Sequence, residues 1–192
     1  MIAQALGFLL DTAVTLFIFA ALIRFLMQGS RTAYAHPFSR FVMAVTDFAV
    51  RPLRRVIPGF RGYDLASLVA AWLAAMVLII GLNLLGGRSF PAAAPTVLAV
   101  LLLAVTQVLR LMIYLVMGLV FAQAILSWVS PGSPAMFILD SLTRPFLRPV
   151  QRRLPTLGGV DLSPLVVFVI CQLLLMLLVT ALERAAFGIL IA

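Results

Sequence analysis

Charged residues are scarce in this sequence. Only 10% of its 192 residues are charged, and lysine is absent, so that all 14 basic residues are arginines. Soluble domains carry about a quarter charged residues, and this scarcity therefore excludes an ordinary soluble domain. The 64% share of apolar residues and the mean hydropathy of +1.19 indicate instead an integral membrane protein.

Cysteine and histidine occur once each, as Cys171 and His36. A single cysteine excludes a disulfide within the chain and makes a metal cluster implausible. The sequence also has no Gly-rich phosphate loop, CxxC pair, HExxH motif or nucleophile–base constellation. We therefore predict that the protein is not an enzyme and that it holds no cofactor and no metal.

The net charge of +8 comes from these arginines. In a membrane protein, such a basic balance indicates orientation and contact with anionic headgroups rather than binding of nucleic acid. The chain has room for about four spans of ~20 residues each. The predicted spans lie at about 6–27, 65–85, 111–129 and 162–182.

The third apolar run is longer than a span needs, because it covers residues 96–129. Alignment of the two halves of the chain starts the third span near Leu111, immediately after Arg110. Residues 96–109 then form an extra apolar segment that is too short to cross a bilayer alone. The alternatives are a half-buried interfacial helix, a re-entrant piece and a bent extension of the third span, and we favour the last two over a separate crossing.

A basic, proline-rich phrase occurs twice, at residues 51–69 (RPLRRVIPGFRGYDLASLV) and 148–166 (RPVQRRLPTLGGVDLSPLV). Aligned without a gap, the two copies share nine of nineteen positions. This repeat divides the chain into residues 1–95 and 96–192, with two spans in each half. We predict an all-α fold of two tandem helical hairpins, related as a parallel repeat.

Arginines concentrate in two of the connections between the spans. The connections that precede the second and fourth spans carry six and four arginines, whereas the middle connection carries only Arg88. The positive-inside rule then places both arginine-rich connections in the cytoplasm, and both termini outside. Each of these connections also has apolar residues at helical spacing, which predicts short amphipathic helices in the interface plane at about 37–50 and 134–147, each ending at an Arg-Pro step.

The repeated phrase is expected to turn the chain from the membrane plane into the next span. Prolines stiffen this corner, glycines permit close approach, and Asp64 and Asp161 are placed as N-caps of the following helices. The predicted structural residues are Pro52, Pro58, Gly62, Asp64, Pro149, Pro155, Gly159 and Asp161. The predicted lipid- or partner-binding residues are Arg51, Arg54, Arg55, Arg61, Arg148, Arg152 and Arg153.

The second copy, in the stretch TRPFLRPVQRRLPTLGGVDLSPLVVFVICQ, resembles the signature of the YggT (YlmG) family of small membrane proteins. In the first copy Gly62 and Asp64 match, but Ser67 replaces the proline found at Pro164. The resemblance covers essentially the whole chain and implies a two-repeat protein of the bacterial inner membrane. The family is implicated loosely in osmotic or ion homeostasis, in cell division and membrane organisation, and in plastid cytochrome assembly. It offers no catalytic residues to carry over.

Two functions remain open from the sequence. The first is a non-enzymatic scaffold or assembly factor at the cytoplasmic leaflet, with anionic lipids and an unknown protein as partners. The second is a small channel or transporter for ion or osmotic balance. Two hairpins make a thin bundle, and a pore would therefore require a homo-oligomer. The scaffold is favoured because most of the distinctive sequence lies at the predicted inner surface.

Overall fold

The computed structural model describes residues 1–29, 37–57, 59, 64–87, 94–153 and 161–191. All regular structure in these residues is helical. The last two helices join through a π-helical turn, Leu175–Val179, and form one continuous rod. The helices are α1 (Ile2–Gly29), α2 (Pro37–Val56), α3 (Leu65–Leu85), α4 (Ala94–Val129), α5 (Pro134–Gln151), α6 (Ser163–Leu174) and α7 (Thr180–Ile191).

Four helical stretches of the described chain are long and apolar enough to cross a membrane. They confirm the predicted number of spans and their order along the chain. The structure extends the first and last of them beyond the predicted bounds, because helix continues for several residues into the flanking sequence. The four are Ile2–Gly29, Leu65–Leu85, Pro95–Val129 and Ser163–Ile189.

The third span differs most from its prediction. The structure has one helix, α4, of 36 residues, so residues 96–109 extend the span and form no separate piece. An extension of the third span is one of the two favoured interpretations and is the one that the structure has, with the helix beginning well before the predicted start near Leu111. The physical reason is packing: Ala104 and Val108 of the extension lie in one hydrophobic cluster with Ile18 and Ala71 of the first hairpin. A helix of this length measures about 54 Å, and it must tilt within or project from a hydrocarbon core of about 30 Å.

The helices α2 and α5 also run further than predicted. The expectation that each ends at an Arg-Pro step is wrong, because α2 continues past Pro52 and α5 past Pro145 and Pro149. A proline removes one backbone donor, and packing on the following turn keeps each helix intact. After Pro52, Leu53 packs with Val50 and with residues of α3. After Pro149, Val150 packs on the cluster that joins α4, α5 and α6.

The first hairpin is held by close contact between α1 and α3. A Cβ added at Gly81 would lie 2.7 Å from Cδ2 of Leu10, so glycine is needed for this approach without displacement of the leucine. Small residues on α3, including Ala71 and Ala75, lie at the centre of the cluster against α1. The N-terminal half of α4 completes this cluster, and Trp72 Nε1 donates to the carbonyl of Leu101 at 3.3 Å.

The second half packs around the C-terminal part of α4. Ile113 and Val116 of α4 share a cluster with Val167 of α6 and Val179 of the π-helical turn. A π-helical turn changes the angular register of the residues that follow it. One turn later, Glu183 of α7 pairs with Arg110 of α4. A single long helix, α4, therefore contacts α1 and α3 as well as α5, α6 and α7.

Candidate functional site

The junction of α2 and α3 contains a network of charged side chains, which we call the first corner. Its centre is Asp64, the residue before α3, whose side chain is only 2% exposed. Asp64 accepts from Arg54 Nε at 3.2 Å and from the Ser67 hydroxyl at 2.7 Å. A second nitrogen of Arg54 also pairs with the carboxylate. The first corner consists of Arg24, Thr46, Asp47, Arg51, Arg54, Asp64 and Ser67.

Arg24 of α1 links the two carboxylates of the first corner. Its Nη1 lies 2.8 Å from Asp47 Oδ1, and its Nε lies 3.5 Å from Asp64 Oδ2. Nη1 also donates to the hydroxyl of Thr46 at 2.8 Å. The Arg24 side chain is 6% exposed. An arginine buried to this degree needs such partners, because an unpaired buried charge is strongly disfavoured.

The charges of the first corner lower the pKa of Asp64. Burial by itself would raise it, but hydrogen bonds from Arg54 and Ser67 outweigh burial, together with the charges of Arg54 and Arg24. The pKa therefore lies below its ordinary value of 3.8, and the carboxylate stays ionised at neutral pH. Arg51 Nη2 adds a further pair with Asp47 at 2.7 Å. The first corner thus neutralises most of its own charge.

The junction that leads into α6 is built differently. Asp161 accepts from Gln151 Nε2 at 2.8 Å, so an amide occupies the position that Arg54 holds in the aligned phrase. Its other oxygen accepts from the backbone N–H of Ser163 at 2.8 Å. Burial by itself would raise the pKa of Asp161. The hydrogen bonds with Ser163 and Gln151 have the larger, opposite effect, so the pKa lies below its ordinary value. Asp161 is exposed to solvent.

The two predicted N-caps therefore differ in their hydrogen bonds. Asp64 occupies the N-cap position of α3, but its side chain makes no capping hydrogen bond, and this part of the prediction is wrong. The guanidinium group of Arg54 and the hydroxyl of Ser67 donate to the two carboxylate oxygens of Asp64, in place of the backbone N–H groups of the first turn of α3. Asp161 lies one residue before the N-cap Leu162, yet it accepts from a first-turn N–H as expected.

On α5, a polar group faces α4. Asp140 Oδ2 pairs with Arg144 at 3.0 Å, and Asp140 Oδ1 accepts from Gln123 Nε2 of α4 at 3.4 Å. The buried hydroxyl of Thr143 contacts the same glutamine. Thr143 aligns with Thr46 when the gap-free alignment of the two phrases is continued toward the N-terminus, and both threonines are buried. We call Asp140, Arg144, Arg148, Gln151, Arg152, Arg153 and Asp161 the second corner.

The predicted binding arginines fall into two groups. Arg51 and Arg54 are engaged with carboxylates of the first corner. The remaining described ones are exposed and have no carboxylate within 4.0 Å among the residues that the structure describes: Arg55, Arg148, Arg152 and Arg153. Five predicted residues lie outside the described residues: Pro58, Arg61, Gly62, Pro155 and Gly159.

Sequence reasoning missed the roles of Arg24 and Asp47. An arginine inside an apolar run is costly unless it is paired, and that cost was the signal available in the sequence. Asp47 is one of only six acidic residues in the chain, which also marked it as a partner. Their pairing across 23 positions depends on how α1 and α2 pack, which local patterns do not encode.

The chain is similar to known proteins along most of its length. The family model described as CCB3/YggT matches residues 3–85 and 102–182. The YggT protein of Escherichia coli strain K12 is 37% identical over 164 residues, which is 85% of this chain and 83% of that protein. A protein of Pseudomonas aeruginosa is 36% identical over 174 residues, 90% and 87% of the two chains.

A protein of Vibrio alginolyticus is 33% identical over 170 residues, which cover 86% of this chain and 89% of the relative. The names of these relatives state no activity. No solved structure matches the chain. The similarity therefore identifies lineage and membrane architecture, and any assignment of function depends on the geometry of the two corners.

Proposed function

Since the chain belongs to the CCB3/YggT family, we propose that it is a non-enzymatic scaffold or assembly factor of the bacterial inner membrane. It acts at the cytoplasmic leaflet and serves cell division or the assembly of membrane complexes. The observation that supports this proposal is that positive charge and aromatic surface are exposed on the same two helices. Exposed arginines and exposed rings occur together on α2 and α5, where Phe41, Phe48 and Phe137 are each more than 60% exposed.

The architecture of this proposal is two tandem hairpins, with α2 and α5 in the interface plane. Two contacts support the repeat. Residue 54 reaches residue 64 in the first half, and residue 151 reaches residue 161 in the second, at aligned positions of the phrase. In this arrangement both corners face the cytoplasm and both termini lie outside. Apolar faces of α2 and α5 would rest on the lipid, with arginines at headgroup level.

The alternative is an oligomeric channel or transporter in ion or osmotic balance. The cavity between α1, α3 and α4, of about 390 Å³, is lined by aliphatic and aromatic side chains, among them Phe25, Trp72 and Met112. Such a lining offers an ion no replacement for its hydration shell. The apolar cavity within a single copy of the chain is therefore no ion path, and this favours the scaffold over the channel.

Recovery of partner proteins from gently solubilised membranes tests the scaffold. Arg55→Gln with Arg153→Gln removes two exposed charges without touching an ion pair. We expect this double variant to lose partners that the wild type retains, at equal expression. Arg184→Gln, which removes an exposed charge from α7, is the control and should retain them.

Ion flux tests the alternative. Purified protein in liposomes should pass neither K⁺ nor Na⁺ above the rate of empty vesicles. Flux that Asp64→Asn or Asp11→Asn abolishes would overturn the scaffold. The scaffold would also be contradicted if the Arg55 and Arg153 double variant recovered the same partners as the wild type and the Arg184→Gln control.

A further inference from the structure

A cleft of about 410 Å³ lies between the C-terminal end of α1 and α5. Its lining is half polar in character and differs in this from the apolar cavity between α1, α3 and α4. Two arginines of α5 and Arg152, the residue that follows the helix, contribute to it, together with Gly29 at the end of α1. The complete lining is Gly29, Ser141, Arg144, Pro145, Arg148, Pro149 and Arg152.

The three arginines stand one helical turn apart, at positions 144, 148 and 152, and they therefore share one face of α5. Asp140 neutralises part of the charge of Arg144 through a pair at 3.0 Å. For Arg148 and Arg152, no carboxylate lies within 4.0 Å in the described part of the chain. The cleft is consequently lined by two guanidinium groups that pair with no carboxylate among the residues that the structure describes. Guanidinium groups match phosphate oxygens with paired N–H bonds.

The first corner shows that this arrangement is not simply a product of the repeated phrase. Asp47, Arg51 and Arg55 occupy the aligned positions on α2. There Asp47 replaces Arg144 and pairs with both Arg24 and Arg51. Of these two aligned arginines on α2, Arg51 therefore pairs with a carboxylate and only Arg55 has none within 4.0 Å among the described residues, whereas Arg148 and Arg152 both lack such a pair and line the cleft.

We propose that the cleft between α1 and α5 binds a phosphate group, with Arg148 and Arg152 as its principal ligands and Arg144 as a third. The group belongs to the headgroup of an anionic phospholipid or to a free phosphate. The first source rests on the proposed placement of α5 at the cytoplasmic leaflet. The second source needs only the cleft itself.

Native mass spectrometry of the purified full-length chain tests this site. The delipidated protein is presented with phosphatidylglycerol, with phosphatidylcholine or with inorganic phosphate. The variant is Arg148→Gln with Arg152→Gln. The control is Arg40→Gln with Arg184→Gln, which removes the same charge from two exposed arginines that belong neither to the cleft lining nor to the predicted binding residues.

The wild type and the control should have an affinity for phosphatidylglycerol at least about tenfold higher than that of the variant. Each arginine near a headgroup raises the affinity roughly several-fold, and the variant lacks two of them. Retention of phosphatidylglycerol without binding of inorganic phosphate assigns a lipid headgroup. Binding of inorganic phosphate that the variant loses assigns a free phosphate.

Equal loss in variant and control would overturn the site, because it would reveal only general attraction to the basic surface. Equal binding by all three proteins would overturn it as well. Thermal unfolding in detergent checks that each variant is folded. Arg148→Lys with Arg152→Lys should bind more tightly than the glutamine variant but less tightly than the wild type, because lysine restores the charge without the paired N–H donors. Partner recovery with the Arg55 and Arg153 variant is independent of the cleft, so failure of this site leaves the scaffold proposal separately testable.

Discussion

At the scale of residues, two aspartates with the same place in a repeated phrase have different surroundings. Asp64 is buried between two guanidinium groups and a hydroxyl, whereas Asp161 is exposed and accepts from an amide and a backbone N–H. Loss of one partner from a buried ion pair leaves a buried charge uncompensated, which costs more than loss of an exposed hydrogen bond. Equivalent positions in the sequence are therefore not energetically equivalent.

Asp64→Asn should consequently lower the free energy of unfolding by about 3 kcal/mol, because Arg24 loses one of its carboxylates in a buried site. Asp161→Asn should lower it by only about 1 kcal/mol, the value of an ordinary hydrogen bond. Denaturant unfolding of both variants in the same detergent measures the difference. Equal losses would contradict the assigned burial and return both aspartates to a simple capping role.

The lowered pKa of Asp64 also predicts how stability changes with pH. Its folded pKa lies below its ordinary value of 3.8, so the ionised form is favoured by folding. The stability that this group contributes is complete above that value and is lost as the pH falls through the folded pKa. The melting temperature of the wild type should therefore fall more steeply below about pH 4 than that of Asp64→Asn. Parallel profiles for the two proteins would exclude this linkage.

At the scale of elements, α4 joins the two halves of the bundle. Its N-terminal half packs on α1 and α3, and its C-terminal half packs on α5, α6 and the π-helical turn. Arg110 lies between these two regions and pairs with Glu183 of α7. Both side chains are about one-third exposed in the isolated chain, and apolar surroundings in a bilayer would strengthen their attraction.

Arg110→Glu should therefore destabilise the bundle by about 2–3 kcal/mol, because it places two carboxylates together within the spans. The double variant Arg110→Glu with Glu183→Arg should recover most of that loss, since the pair re-forms with its charges exchanged. Thermal unfolding in detergent measures the stability of the single and the double variant. Arg184→Gln, which changes an exposed arginine next to Glu183 on α7, serves as the control. Failure of the second substitution to restore stability would show that the pair is not the source of the effect.

At the scale of the whole molecule, the arginine count predicts an orientation for the bundle. The connections that precede α3 and α6 carry ten arginines together, and the connection between α3 and α4 carries one. Positive charge near the ends of spans is retained in the cytoplasm. The two corners and the cleft on α5 would then face the same compartment.

Single cysteines introduced into a Cys171→Ser background check this orientation in intact cells. A cysteine at Ser89 should react with a membrane-impermeant reagent from outside, and a cysteine at Arg55 or Arg153 should react only after permeabilisation. Cys171 is buried, so its replacement by serine is the first control for folding. Labelling of position 89 only from the cytoplasmic side would reverse the assignment and with it the position of the cleft.

The sequence by itself determined the number of spans, their order and the register of the two aligned phrases. Hydropathy and helical period are local properties, and the predicted 65–85 span therefore agrees with α3 to the residue. It also singled out the arginines and aspartates at the two junctions. The family resemblance rested on the same short stretches, and the match to the family model confirms it.

Only the tertiary structure decided how those residues are used. The pairing of Arg24 with Asp47 and Asp64 depends on the packing of α1 against α2 and α3, which lie far apart in the chain. The same holds for α4, whose extra turns are helical because Ala104 and Val108 fill a core formed by the first hairpin. Burial and partner choice arise from contacts between distant segments, so two phrases that share nine of nineteen positions produce one corner that neutralises most of its own charge and one in which Arg148 and Arg152 line a cleft.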